Sequence, residues 1–114
     1  MHRAFLGLGS NIEPEANLPA AVAALDDYGT VVAVSQVWES APVGFFEQAN
    51  FLNAAVLLET ELSAEALCLE AIAEIEQRLK RERDANNINA PRTIDIDIAL
   101  FNCEVITIGH RRIP

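Results

Sequence analysis

The segment Pro91-Arg92-Thr93-Ile94-Asp95-Ile96-Asp97-Ile98-Ala99-Leu100-Phe101 constrains this chain more than any other. Isoleucine and aspartate alternate through it with the period of two that marks a half-covered β-strand. Ile94, Ile96, Ile98 and Leu100 are expected on one face, and Asp95 and Asp97 on the other. Such a strand needs a sheet with one packed face and one open face. The two carboxylates then stand roughly 6.5–7 Å apart along the strand and can converge on one site. Like charges this close in an apolar segment are costly unless a cation neutralises them. Two hard oxygen donors facing the same way suit magnesium, which commonly rests on one or two carboxylates plus substrate phosphates. Arg92, just upstream, has the fork to hold a phosphate in a bidentate manner. Taken alone, the segment equally describes two acids on the solvated side of a sheet, and the rest of the chain must decide.

Elsewhere the pattern is of short strands and two helices. Residues 3–9 read as a strand that stops at Gly7-Leu8-Gly9-Ser10-Asn11, which is not a dinucleotide fingerprint because the third glycine is missing. A helix is expected from Pro14 to Asp27, with Pro14 in its first turn and Leu18, Val22 and Leu25 as its stripe, ending at Gly29. Residues 30–39 are rich in β-branched side chains and read as one strand. Residues 40–50 form a loop in which Phe45 and Phe46 suit either a ligand lid or a loop tucked onto the core. Residues 51–60 return as a strand, with Leu52, Ala54, Val56 and Leu58 on one face and Phe51, Asn53 and Ala55 on the other. Ser63 caps a long helix with a stripe through Leu62, Ala66, Leu69, Ile72, Ala73, Ile75, Glu76 and Leu79. Glu76 lies beside that stripe. A loop over 84–90 precedes the aspartate strand, and a turn near Asn102 leads to a short strand through Ile108. The order β-α-β-β-α-β with a trailing C-terminal hairpin predicts an α+β, ferredoxin-like antiparallel sheet with both helices on one face. The helices are expected over the Leu52/Val56/Ile96/Leu100 face. That leaves Phe51, Asn53, Asp95 and Asp97 together on the open face.

Composition narrows the functions. The chain has 114 residues, the length of one domain, and 51% of them are hydrophobic, enough for a core. The net charge of −9 disfavours nucleic acid as a partner. It is uneven: residues 1–77 hold one arginine against twelve acids, a balance of −11, and residues 78–112 hold seven bases against five acids, a balance of +2. A local basic region beside two aspartates suits a phosphorylated small ligand carrying a metal. For Arg78 and Lys80 the better reading is charge complementing a helix C-terminus. No stretch has the length and apolarity of a membrane span, and Met1-His2-Arg3 does not open a signal peptide. Cys68 and Cys103 match no metal or redox spacing and read as small hydrophobes of a reducing cytosol.

Together these stretches resemble the 6-hydroxymethyl-7,8-dihydropterin pyrophosphokinase family, folate-pathway enzymes that move pyrophosphate from ATP to a pterin alcohol. The likeness spans residues 4–114. It rests on Gly9-Ser10-Asn11, Ser40-Ala41-Pro42-Val43-Gly44, Phe51-Leu52-Asn53-Ala54, Ile75-Glu76, Arg81-x-Arg83 and Pro91 through Asp97. The resemblance implies that Asp95 and Asp97 hold two magnesium ions bridging the ATP phosphates. It implies that Phe51 stacks on the pterin, that Asn53 bonds its edge, and that groups from Ser40, Ala41, Pro42, Val43 and Gly44 help. Glu76, Arg83, Arg92, Ile98 and Arg111 are the implied ATP contacts. Asp95, Asp97, Arg83 and Arg92 are the implied catalytic set. The expected partners are ATP and the hydroxymethyl dihydropterin, with no nucleic acid and no membrane, for a cytoplasmic monomer.

The chain departs from the family pattern at four points, one of them a loop before Asn89 that is one residue longer. Asn89 stands where an aromatic, usually Trp, often precedes the Pro91-Arg92 pair by two residues. Phe51 keeps the ring of a position that is often Tyr and lacks its hydroxyl. The chain ends at Pro114, where family members continue, so a single domain shortened at its C-terminus is the expectation, with slow turnover. Beside the enzyme, two other readings stay open on sequence alone. One is a binding module without turnover. The other is a structural module that dimerises through its exposed sheet face.

Overall fold

The computed structural model describes residues 1–41, 49–80 and 93–102 in full, and the backbone of 106–108 and 111–113. Strand β1 (His2–Ser10) runs down the middle of the sheet. It pairs antiparallel with β4 (Phe51–Thr60) from His2 opposite Thr60 to Ser10 opposite Leu52. On its other side lies β5 (Asp95–Phe101), with Gly9 opposite Asp95 and Gly7 opposite Asp97. Strand β2 (Thr30–Val34) and the short β3 (Trp38–Ser40) lie in succession along the outer side of β4, giving the order β2-β4-β1-β5. Strands β6 (Ile106–Ile108) and β7 (Arg111–Ile113) form a separate antiparallel pair, the trailing hairpin.

Helix α1 (Pro14–Leu25) begins with proline in its first turn, preceded by Glu13 in a left-handed conformation. It ends in a 3₁₀ turn, Asp26–Tyr28, two residues earlier than its apolar pattern alone indicated. Gly29 follows, and its need is space rather than left-handed backbone: a Cβ there would collide with the main-chain carbonyl of Glu59. Helix α2 is capped by the Ser63 hydroxyl, which accepts from the Ala66 N–H at 3.1 Å. It is built of Ala64–Ala66, a π-helical stretch Leu67–Ile72, and Ala73–Arg78. Its buried side chains are Ala64, Leu67, Ala71, Ile72, Ile75 and Glu76. Leu69 and Ala73, expected on the apolar stripe, face solvent instead. Arg78 lies in the last turn of α2, where it pairs with side-chain carboxylates. It forms hydrogen bonds to Glu74 at 2.8 and 3.2 Å and lies 3.6 Å from Asp27. The Arg78 guanidinium, with help from the Tyr28 hydroxyl, holds the Glu74 carboxyl below the ordinary glutamate value.

Both helices cover one face of the sheet. The core between them joins Leu6, Leu8, Leu18, Leu25, Val56, Leu58, Leu67, Ile75, Ile94 and Ile96, all buried. The strand alternation holds through Ile98 and then breaks. Phe5 pairs with Leu100 whereas Leu6 pairs with Ile98, so β5 carries one extra residue, Ala99, at a bulge. Beyond it the faces swap. Phe101 is buried at 3% exposure, while Leu100, expected in the core, is 40% exposed on the open face. The strand expected over residues 30–39 is also divided. At the break Ser35 keeps one main-chain bond, its N–H donating to the Ala55 carbonyl at 2.8 Å, and its hydroxyl takes the place of a main-chain acceptor for the Ala55 N–H at 2.8 Å.

Candidate functional site

The uncovered face of the sheet carries a cavity of about 330 Å³ over the ends of β1, β3, β4 and β5. Its floor is Gly7 and Gly9 of the central strand. Asn53 and Asp95 flank Gly9 on its two sides, and Ala55 and Asp97 flank Gly7. Two strand spacings therefore separate the amide side of the trough from the carboxylate side, roughly 10 Å. The glycines keep the trough open. A Cβ on Gly7 would meet nothing within 4 Å, so any side chain there would stand in the cavity. A Cβ on Gly9 would lie 3.2 Å from Asn53 Oδ1 and 3.6 Å from the Phe51 ring.

On one side, Phe51, Asn53, Trp38, Ser40 and Ala41 line the cavity. Trp38 sits directly opposite Asn53, and Ser40 opposite Phe51. The Asn53 amide donates to the Ser40 hydroxyl at 2.9 Å and to the Trp38 carbonyl at 3.2 Å. Both of its hydrogens are committed to β3, and its carbonyl oxygen faces the Gly9 floor. In this arrangement Asn53 offers the cavity an acceptor, and a ligand edge placed there must donate. Trp38 is half exposed and adds a second ring near Phe51. A flat aromatic ligand is what two rings and an amide acceptor suit.

On the other side stand Asp95, half-buried, and Asp97, exposed. Both line the cavity, as the alternation predicted. Among the described residues no third carboxylate, histidine or cysteine joins them. A cation held here has two hard oxygen donors from the protein and needs the rest of its shell from ligand or water. That donor set fits magnesium with substrate phosphates.

The other expected site residues fall in different places. Ile98 is buried on the opposite face of β5, 8% exposed, so only its main chain is on hand for a ligand. Glu76 is also buried, and its carboxylate accepts from the Ile96 N–H at 3.2 Å. Arg83, Arg92, Pro42, Val43 and Gly44 lie outside the described residues, as do Phe45, Phe46, Asn89 and Cys103. Arg111 is described as backbone of β7 alone. Five cavity residues were absent from the expected set: Gly7, Leu8, Gly9, Trp38 and Ala54. Two glycines at alternate positions of one strand are a visible signal, since they share a face. Trp38 had no such signal, because its phase depends on the break at Ser35. The Ser10-Asn11 pair works below the trough. Asn11 is buried and donates to the Ala49 carbonyl at 3.0 Å, tying the end of β1 to the approach of β4.

The fold is a ferredoxin-like α+β sheet-and-helix layer with a cavity on its open sheet face. Comparison with known proteins is more specific. Residues 5–114 match the family model of 7,8-dihydro-6-hydroxymethylpterin-pyrophosphokinase (HPPK). The chain is 43% identical to the 2-amino-4-hydroxy-6-hydroxymethyldihydropteridine pyrophosphokinase of Bacillus subtilis, over 97% of this chain and 66% of that protein. It is 38% identical to the enzyme of the same name from Campylobacter jejuni, over 90% of this chain and 65% of that protein. The chain thus spans about two thirds of the length of these relatives. A Plasmodium falciparum HPPK-DHPS crystal structure matches the fold with a TM-score of 0.66 at 20% identity, over 92% of this chain and 28% of that one. The chain belongs to the HPPK family.

Proposed function

We propose that the open face binds ATP and 6-hydroxymethyl-7,8-dihydropterin side by side and transfers pyrophosphate from the first to the second. The observation that carries this reading is the trough itself. It has an aromatic and amide side, a carboxylate side, and two glycines between them. The family supports the pterin substrate and the transfer of pyrophosphate, since the Bacillus subtilis and Campylobacter jejuni relatives are named 2-amino-4-hydroxy-6-hydroxymethyldihydropteridine pyrophosphokinase.

The pterin lies with its ring against Phe51 and its amino edge donating to Asn53 Oδ1. The segment from Ser40 through Ala41, Pro42, Val43 and Gly44 borders it. Its hydroxymethyl arm points across Gly9 towards the aspartates. The triphosphate of ATP lies along that far side, with Arg83, Arg92 and Arg111 against its oxygens and the main chain near Ile98 beside the nucleoside. Asp95 and Asp97 would hold two magnesium ions, which supply charge neutralisation across the phosphate oxygens. The pterin oxygen attacks the β-phosphorus in line, the bond from that phosphorus to the α-phosphate oxygen breaks, and AMP leaves. The protein contributes position, charge and exclusion of water rather than covalent chemistry.

The test is a single-turnover reaction with protein in excess over ATP, with magnesium and the pterin alcohol present. AMP and a diphosphorylated pterin should appear together, and neither should form when the pterin is omitted. Formation of ADP in place of AMP, or AMP without pterin, would overturn the assignment.

A further inference from the structure

We propose that Glu76 is a positioning residue for the carboxylate pair, holding the main chain of β5 from inside the protein at Ile96, midway between Asp95 and Asp97. This rests on the reading of the trough as a magnesium–ATP site. Among the described residues β5 is the edge of the sheet, so the N–H of every second residue points outward with no ladder partner among them. The Ile96 N–H points to that side and donates to Glu76 Oε2 at 3.2 Å. By the same period, the Asp95 and Asp97 main chains face Gly9 and Gly7 across the ladder. The stretch that carries both carboxylates is therefore gripped from two sides, by β1 and by the Glu76 carboxylate.

Glu76 is only 6% exposed. Burying a carboxylate is costly, and a charged acceptor makes a stronger bond to a backbone N–H than a neutral one. The helix is wound to bring this residue to the strand. A π turn takes up about one extra residue, which turns the residues after it back by about 100°. In a uniform α-helix Glu76 would flank the buried stripe. After the π-helical stretch Leu67–Ile72 it points into the sheet with Ile75. Glu76 does not line the trough, so its effect on a ligand must pass through β5.

The experiment uses the full chain with Glu76→Ala and Glu76→Gln. Circular dichroism at the working temperature confirms folding, and Glu76→Met replaces the alanine variant if that variant unfolds. Amide exchange by NMR reads the Ile96 N–H, with Leu6 as the core reference. Calorimetry reads the magnesium concentration giving half-maximal binding of an ATP analogue with a methylene between its α- and β-phosphorus. The alanine variant should exchange Ile96 at least tenfold faster relative to Leu6, and need at least tenfold more magnesium. Glutamine, which still offers an oxygen to Ile96, should restore both to within about threefold. Unchanged Ile96 exchange in the alanine variant overturns the proposal. So does faster exchange with an unchanged magnesium midpoint. A glutamine variant that protects Ile96 yet binds as poorly as alanine also overturns it, because the charge and not the grip would then matter. If the parent chain binds no analogue while Ile96 protection still depends on Glu76, the nucleotide reading fails, the positioning role falls with it, and a strand clamp remains.

Discussion

Replacing Gly7 by valine should make the protein more stable and a worse binder. Gly7 lies in the middle of β1, paired with Ala55 on one side and Asp97 on the other. Glycine inside a strand costs about 0.5–1 kcal/mol relative to alanine, and a β-branched residue suits a strand better still. No heavy atom lies within 4 Å of the position a Cβ would take, so the new side chain meets no resistance from the protein. Stability should therefore rise by about 0.5–1 kcal/mol, read as an upward shift of the thermal midpoint. The same isopropyl group would stand on the cavity floor, between the aromatic side and the carboxylate side. Forcing a ligand past a misplaced side chain costs about 1–3 kcal/mol, as overpacking does in a core. That corresponds to a loss of about 5- to 150-fold in affinity. Calorimetry with the pterin alcohol in the presence of the methylene ATP analogue would read it. A more stable variant that binds both ligands as tightly as the parent would show that the ligands do not cross β1. A less stable variant would show that the face over Gly7 is not open.

Asp95→Asn and Asp97→Asn keep the shape of each side chain and remove one charge. Each should weaken magnesium-dependent binding of the ATP analogue tenfold or more while leaving the melting curve near its parent, and unchanged affinity at saturating magnesium would remove both from the metal site. Asn53→Ala takes away the acceptor over Gly9 and should cost the pterin about 1–3 kcal/mol in calorimetry with much less effect on ATP; equal losses for both ligands would make Asn53 structural. The bulge at Ala99 predicts that Phe101→Ala destabilises by about 3–5 kcal/mol in urea unfolding and that Leu100→Ala costs well under half of that; the reverse order would refute the register of β5.

What was legible in the sequence was whatever repeats with a fixed period. Asp95 and Asp97 alternate with isoleucines, so their shared face needed no partner strand to be seen, and Phe51 and Asn53 were placed in the same way. The helix starts at Pro14 and Ser63 were legible because a proline or a hydroxyl at a helix start acts locally. Features set by pairing were not. Leu100 and Phe101 exchange faces because β1 and β5 are out of step by one residue, and nothing within 95–101 records that mismatch. Trp38 joins the cavity because Ser35 closes the gap between β2 and β3 with its own hydroxyl. Leu69 and Ala73 face solvent because the buried side of α2 runs through Ala64, Leu67, Ala71 and Ile75, and alanines on both sides of the helix hid that phase. The π-helical stretch before Glu76 brings it to the strand, and its bond to Ile96 was not legible.

In the proposed arrangement one open sheet face takes the pterin at its aromatic end and the nucleotide at its carboxylate end. Amide chemical-shift mapping of the isotopically labelled chain tests it most directly. Titration with the pterin alcohol should move Gly9, Trp38, Phe51 and Asn53 most. Titration with the methylene ATP analogue and magnesium should move Gly7, Asp95, Ile96 and Asp97 most, and omitting magnesium should abolish those changes. Shifts centred on α1 or on the outer face of α2, or the same set of residues moving with both ligands, would contradict the account.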